Sequence, residues 1–387
     1  MSWEKVKLGD IIDSCLGKML DQQKNRGEFQ PYLANVNVRW GTFDLDDLPQ
    51  MRFEENEQER YGLRYGDLVV CEGGEPGRCA IWKEQIPNMK IQKALHRVRV
   101  HNGLDYRYLY YWFLWSGKRG ALEQYFTGAT IKHMPGQKLK EVLIDKPPLE
   151  IQKRIADILS AYDDLIDNNQ KQIKLLEEAA QRLYKEWFVD LRFPGHETTP
   201  VVDGVPEGWT RKQLIDVATV QYGYAFDGSL FNSIGNGMPI VRIRNIPSGN
   251  TGDYTTESAD IQYIIHNGDI LVGMDGEFHI NSWSGQDAYL VQRVCRIKPI
   301  NVGIAGYLLQ AIYEPIKYFE KTVVGATVAH LGKKHIDTIT LLIGPNKLYI
   351  PFQQHFDKRQ LLLNQNRLLS EARDRLLPKL MSGEIEV

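Results

Sequence analysis

A chain of 387 residues is too long for one ordinary hydrophobic core and suits two domains with connectors. Its 43% apolar and 25% charged content excludes a disordered or fibrous chain, and no apolar run approaches the ~20 residues that cross a bilayer. A net charge of −2 excludes binding by bulk positive charge, yet the charge is uneven. Residues 78–140 hold twelve Lys and Arg against three Asp and Glu, whereas residues 44–60 hold seven acids against two bases. Such a basic stretch fits a nucleic-acid face and an ordinary solvated surface equally well.

The opening Met1-Ser2-Trp3-Glu4-Lys5 lacks the basic-then-apolar pattern of a secretory leader. Cys15, Cys71, Cys79 and Cys295 form no CxxC pair, so the expectation is a cytoplasmic protein with buried thiols and no metal site. Along the chain the same series of segments then occurs twice. Trp3-Glu-Lys-Val-Lys-Leu-Gly-Asp10 is matched by Trp209-Thr-Arg-Lys-Gln-Leu-Ile-Asp216, and Pro31-Tyr-Leu-Ala-Asn-Val-Asn37 by Pro239-Ile-Val-Arg-Ile-Arg-Asn245. Gly66-Asp67-Leu-Val-Val70 pairs with Gly268-Asp269-Ile-Leu-Val272, and Leu95-His-Arg97-Val-Arg99 with Val294-Cys-Arg296-Ile-Lys298. Finally Gly128-Ala-Thr130-Ile-Lys-His133 meets Gly325-Ala-Thr327-Val-Ala-His330. Five matches in one order indicate two diverged domain-sized copies rather than a solenoid. Within each, short β-branched runs bounded by Gly-Asp turns predict strands, and aromatic-rich segments at 106–122 and 304–321 predict helices.

Each copy ends in a long predicted helix. The first opens after Pro147-Pro148, with Glu150 in its first turn, and runs to about Trp187. Ile166, Ile173, Ala180 and Trp187 recur every seven residues with Leu176 and Leu183 between them, interrupted only by Asn169. The second opens near Pro351 and carries Leu362, Leu369 and Leu376, with Gln365 and Ala372 interleaved. Either each stripe lies on its own domain, or the two stripes pair. Segments 192–195 and 206–208 bracket a polar linker between the copies.

Several near-motifs lack the parts their chemistry needs. Asp145-Lys-Pro-Pro-Leu149 is broken by a Lys and offers no aromatic to stack on a flipped base. In the segment from Gly325 to Gly332-Lys333-Lys334, Lys334 stands where a P-loop needs Ser or Thr, and the glycines are too far apart. Gly73-Gly74-Glu-Pro-Gly77 follows a strand, but Pro76 removes an amide that a dinucleotide loop requires. No HExxH is present.

With these features in hand, the chain resembles the specificity subunits of type I restriction-modification systems over essentially its whole length. The resemblance rests on Gly128-Ala-Thr130, Leu139, Val142-Leu-Ile144, Pro147-Pro-Leu-Glu-Ile-Gln152-Lys-Arg-Ile155-Ala-Asp-Ile-Leu159 and Asp163-Asp-Leu-Ile166. It extends to the ending Arg375-Leu-Leu-Pro-Lys-Leu-Met-Ser-Gly383-Glu-Ile385. The second copy departs locally, with Pro345-Asn-Lys-Leu-Tyr-Ile-Pro351-Phe-Gln353 in place of the Pro-Pro-Leu run. The resemblance implies an α+β fold: two pseudo-repeated mixed α/β target-recognition domains joined by two long helices paired as an antiparallel coiled coil. The expected divisions are 1–147, 148–190, 191–343 and 344–387.

It further implies a non-catalytic subunit that reads a bipartite double-stranded DNA target. Such a subunit directs modification (adenine methyltransferase) subunits, two of them, and restriction or motor subunits to that target, without a cofactor of its own. A two-domain coiled-coil scaffold with no DNA role is the competing reading. A helix of about 39 residues would span ~60 Å, or ~17 base pairs, which suits two heads separated by an unread spacer.

Side chains suited to base edges or phosphates are then the candidates for DNA contact. In the first head they are Asn35, Asn37, Arg39, Trp40, Arg78, Lys93, Arg97, Thr130, Lys132 and His133. In the second they are Arg242, Arg244, Asn245, Asp275, His279, Asn281, Arg293, Arg296, Thr327 and His330. For several, a structural role competes: Arg97 and Arg296 lie in predicted strands, His133 and His330 suit turn caps, and Asn37 and Asn245 suit turns. The helix-pairing candidates are Ile166, Ile173, Leu176, Ala180, Leu183, Leu362, Leu369 and Leu376.

Overall fold

The computed structural model describes residues 3–21, 25–322 and 329–387. The chain forms two units, Met1–Asp164 with Ser370–Val387, and Leu165–Leu369. Thr327 lies outside the described residues.

In the first unit the β-branched runs become a four-stranded antiparallel sheet in the order Ile12–Leu16, Leu95–Val100, Leu68–Cys71, Cys79–Ile81. The strand Leu68–Cys71 is buried throughout, as its unbroken apolar sequence requires. Gly66 supplies the positive φ of +87° in the turn before it, and Asp67 closes that turn by accepting the Arg64 amide at 2.8 Å. A second sheet pairs Glu28–Leu33 antiparallel with Gln50–Phe53 and parallel with Lys90–Ile91. The ribbon Glu4–Lys7 with Leu143–Lys146 completes the strands. The aromatic helix Tyr106–Lys118 starts where the Asp105 carboxylate accepts the Arg107 and Tyr108 amides, and buries Tyr108, Leu109 and Phe113 in the core.

The second unit repeats this plan. Its four-stranded sheet runs Ala218–Tyr222, Val294–Pro299, Ile270–Gly273, Ile280–Ser282, the same order as in the first. Gly268, at φ +90°, and Asp269, accepting the His266 amide at 2.9 Å, rebuild the same turn. The strand Met238–Val241 pairs parallel with Ala288–Leu290, matching the parallel pair of the first unit. One expectation needs correction: the helical segment expected at 304–321 is two helices, Ala305–Ala311 and Tyr313–Thr322. Pro315 has no N–H to donate to the carbonyl of Ala311, so the first helix ends there.

The first long helix runs Leu149–Tyr184 and passes into a π turn, Lys185–Val189; the second runs Ile350–Met381. In the first unit Ile155, Ala156 and Leu159 share the core with Leu377, Leu380 and Met381, and Arg373 forms an ion pair with Asp163. In the second unit Asn169 donates to Asn366 at 2.9 Å, and Arg359 donates to Glu177 at 2.6 Å. There the partner number falls as the first rises, so the two segments run antiparallel. Ile173, Ala180 and Leu362 are buried, whereas Ile166, Leu176, Leu183 and Leu369 are half-buried. Leu376 packs half-buried on the core of the first unit. No helix among the described residues is long and apolar enough to cross a membrane.

Candidate nucleic-acid interface

Three loops meet at one edge of the first head: the 3-10 turn Asn35–Asn37 that follows the strand Glu28–Leu33, residues 72–78, and residues 127–133. Side chains knit them together. Asn35 Nδ2 donates to the Gly73 carbonyl at 3.0 Å, and Arg78 donates back to the Asn35 carbonyl at 3.2 Å. Glu75 accepts from Trp40 Nε1 at 2.6 Å and from Arg78 at 3.0 Å. The third loop is pinched by reciprocal backbone bonds between Thr127 and His133, and His133 bridges to Gly73. Glycine is required at position 74: φ is +72°, and a Cβ would sit 2.6 Å from Asn35 Nδ2. On this frame Arg39, Thr130 and Lys132 are exposed. Lys93, also exposed, precedes Ala94, whose carbonyl accepts the Glu72 amide at 2.9 Å.

The second head builds its edge from the matching turn Ile243–Asn245, residues 274–279, and Ala329 with His330. Gly276 donates to the Ala329 carbonyl at 3.0 Å, and Asp275 bridges to His330. His330 Nδ1 lies 2.5 Å from the Asp275 carboxylate, and Arg293 lies 3.3 Å from both, through Nε to the carboxylate and Nη1 to His330 Nδ1. Arg293 takes φ +72°, an uncommon conformation for a side chain of that size. Glu320 anchors the second loop by accepting the Phe278 amide at 3.0 Å. Arg242 is exposed, its guanidinium 5.7 Å from the Phe231 ring, and Arg244 is held by Asp253 at 2.5 and 3.2 Å. Burial works against the charge of Asp253, but hydrogen bonds from Arg244 and Asn245 prevail and hold its carboxyl below the usual range.

Other candidates take structural places. Arg97, buried in the sheet centre, donates to the Glu59 carbonyl at 2.8 Å. Arg296 does the same in the second head toward Ile264 at 2.7 Å and pairs with Asp269 at 3.4 Å. Asn37 and Asn245 close their own turns, accepting the amides of Ala34 and Arg242 at 2.9 Å. Asn281 uses both ends of its amide internally: Nδ2 donates to Ile246 and Pro247, and Oδ1 accepts from Arg359 at 2.8 Å. The His279 ring lies 3.5 Å from Glu277. No group of three or more His, Cys, Asp or Glu among the described residues is placed to hold a metal ion.

Residue-type reasoning passes over Glu75 and Asp253, acids that orient the basic and aromatic groups beside them. It also passes over Val36 and Ile131, apolar side chains 70% and 64% exposed within the first head's loops. Glu75 did carry a signal, because it sits inside Gly73-Gly74-Glu-Pro-Gly77, a run that is the second loop itself.

A two-headed protein with matching polar loops at equivalent sheet edges and paired helical segments belongs to the class of modular DNA readers. The family described as type I restriction modification DNA specificity domain matches residues 1–178 and 206–367. The type I restriction enzyme MjaIX specificity subunit of Methanocaldococcus jannaschii is 28% identical over 342 residues, covering 83% of this chain and 78% of that protein. The MjaVIII specificity subunit of the same organism is 27% identical, covering 80% and 75%. The crystal structure of the type I restriction-modification S subunit from M. genitalium shares the fold, with a TM-score of 0.57 at 17% identity, over 98% of this chain and 96% of that one. The chain belongs to the type I restriction-modification DNA specificity family. It is a DNA-sequence recognition subunit, and the catalytic steps of such a system lie in other subunits.

Proposed function

We propose that each head reads one half of a bipartite DNA target through its loop edge, residues 1–147 one half and residues 191–343 the other. The carrying observation is that both heads build the same edge and dress it with different side chains, so the two half-sites differ. The helices joining the heads set the number of unread base pairs and present a docking face for two modification subunits, which methylate adenine, and for the restriction or motor subunits. The complex works in the cytoplasm on double-stranded DNA.

Arg39, Lys132 and Arg242 support this reading as exposed cations on the loops. The test is methylome mapping in a host expressing the chain with its methyltransferase partner. Arg39→Ala or Lys132→Ala is expected to relax one position of the first half-site, by about 1–3 kcal/mol, and Arg242→Ala one position of the second. A first-head substitution that altered the second half-site or the spacer length would overturn the division of labour.

A further inference from the structure

The turns Asn35–Asn37 and Ile243–Asn245 are one device built twice. Each follows the central strand of its head's second sheet, three-stranded in the first head and five-stranded in the second, and the residue before each turn has nearly the same backbone: φ −102°, ψ 171° at Ala34 and φ −106°, ψ 166° at Arg242. Each is closed by its final asparagine, whose Oδ1 accepts that residue's amide at 2.9 Å. The first position of each turn packs beside the chain at the second loop: Asn35 bonds the Gly73 carbonyl within it, and Ile243 lies 3.1 Å from where a Cβ would be on Gly273, the last residue of the strand that leads into it. The middle position faces outward. It is Val36, 70% exposed, in one head and Arg244, its side chain 62% exposed, in the other.

Resting on the reading that these edges face DNA, we infer that the middle residue of this turn is a base-reading position of each head, Val36 taking a thymine methyl and Arg244, held by Asp253, the O6/N7 edge of a guanine. A valine gives nothing to a phosphate, and among the base edges of the major groove the thymine methyl is the apolar partner that suits it. Arg244 is shaped for a different base. Its Nε and one Nη2 hydrogen go to Asp253, which fixes the plane of the guanidinium. The remaining hydrogens of Nη1 and Nη2 form an outward fork that matches guanine O6 and N7. Asp253 is thus a positioning residue. One backbone scaffold with the reading side chain exchanged would also give the two half-sites different bases at equivalent places.

The test uses the full chain assembled with its modification subunits, on duplexes carrying the half-sites found by methylome mapping. Replacing one particular thymine of the first half-site by deoxyuridine is expected to weaken the wild type roughly fourfold, the worth of burying one methyl group. Val36→Ala should be indifferent to that replacement. Arg244→Ala is expected to relax a single G·C pair of the second half-site, roughly tenfold or more, and 7-deazaguanine at that pair should weaken the wild type. Asp253→Ala should relax the same pair, and the double variant should lose no more than Arg244→Ala alone. Unchanged half-sites in Val36→Ala and Arg244→Ala would overturn the inference. So would uniform weakening on all sequences with a reduced salt slope, which marks phosphate contacts. Either result leaves the division of labour between heads standing, since that fails only if a first-head substitution changes the second half-site or the spacer.

Discussion

Arg359 is the perturbation that most sharply tests how the second long helix holds the second head. It is buried and donates to Glu177 at 2.6 Å, to Ser282 Oγ at 2.5 Å, to Gln360 at 3.2 Å and to Asn281 Oδ1 at 2.8 Å. Removing a buried charge from its partner commonly costs about 3–5 kcal/mol, because the other charge is stranded in a dry interior. Here that penalty is softened. Glu177 has 41% of its side chain exposed and rehydrates, Ser282 keeps its bond to Gln360 at 2.9 Å, and Asn281 Oδ1 keeps the Ser282 amide at 2.9 Å. What Arg359→Ala loses outright is a set of charge-assisted bonds, worth about 1.5–3 kcal/mol net each but not additive, and the packing of the arginine stem. We expect a loss of about 2–3 kcal/mol, a large share of a domain's net stability.

Two units make a single unfolding free energy ill defined, so hydrogen exchange of peptides covering residues 280–283 and 352–362 is the suitable assay. Asn281 also holds the carbonyls of Ile246 and Pro247 behind the turn that carries Arg244. Methylation of the second half-site should therefore weaken while the first is untouched. A loss below about 1 kcal/mol, with exchange unchanged, would refute the buried node and mean that solvent already serves these groups.

Other consequences are as direct. Leu362→Asp places an unpaired charge at a position 2% exposed and should cost several kcal/mol or cause aggregation; an unchanged urea midpoint would contradict a buried helix seam. Asp374 is pressed upward by burial, but Lys118 at 2.6 Å and Arg373 prevail and hold its carboxyl below the usual range. A group depressed in the folded state adds stability that is present above the unfolded carboxylate value, about 4, and lost as pH falls through the lower folded value. Acid unfolding of the first unit should thus flatten in Asp374→Asn, and an unaltered pH profile would count against the pair. Burial pushes the Cys71 thiol up to about 11 and Cys295 up to about 12, with Cys79 also well above its usual range. A thiol reagent at pH 8 should leave these three unlabelled in the native chain and label all four cysteines in urea; fast native labelling would mean these strands open readily.

The duplication, the two long helices and the turns that feed the central strands were legible without a structure, because each is a local pattern. Heptad spacing, a Gly-Asp pair before a β-branched run, and the order of five matched segments all persist along the chain. Which polar side chain faces outward was not legible, because it depends on what the fold brings near. Arg97 and Lys132 are alike as residue types, yet Arg97 meets the Glu59 carbonyl inside the sheet while Lys132 stays exposed on a loop. Asn281 stands two residues from the candidate His279, but a helix nearly eighty positions later supplies Arg359 to occupy its oxygen. The pairing of Trp40 and Arg78 on Glu75, and the contrast of Val36 with Arg244 at one turn position, likewise exist only once loops distant in sequence share an edge. Periodicity is a property of neighbouring residues, whereas the destination of a long polar side chain is settled by whichever partners satisfy it when the strands and helices close around it.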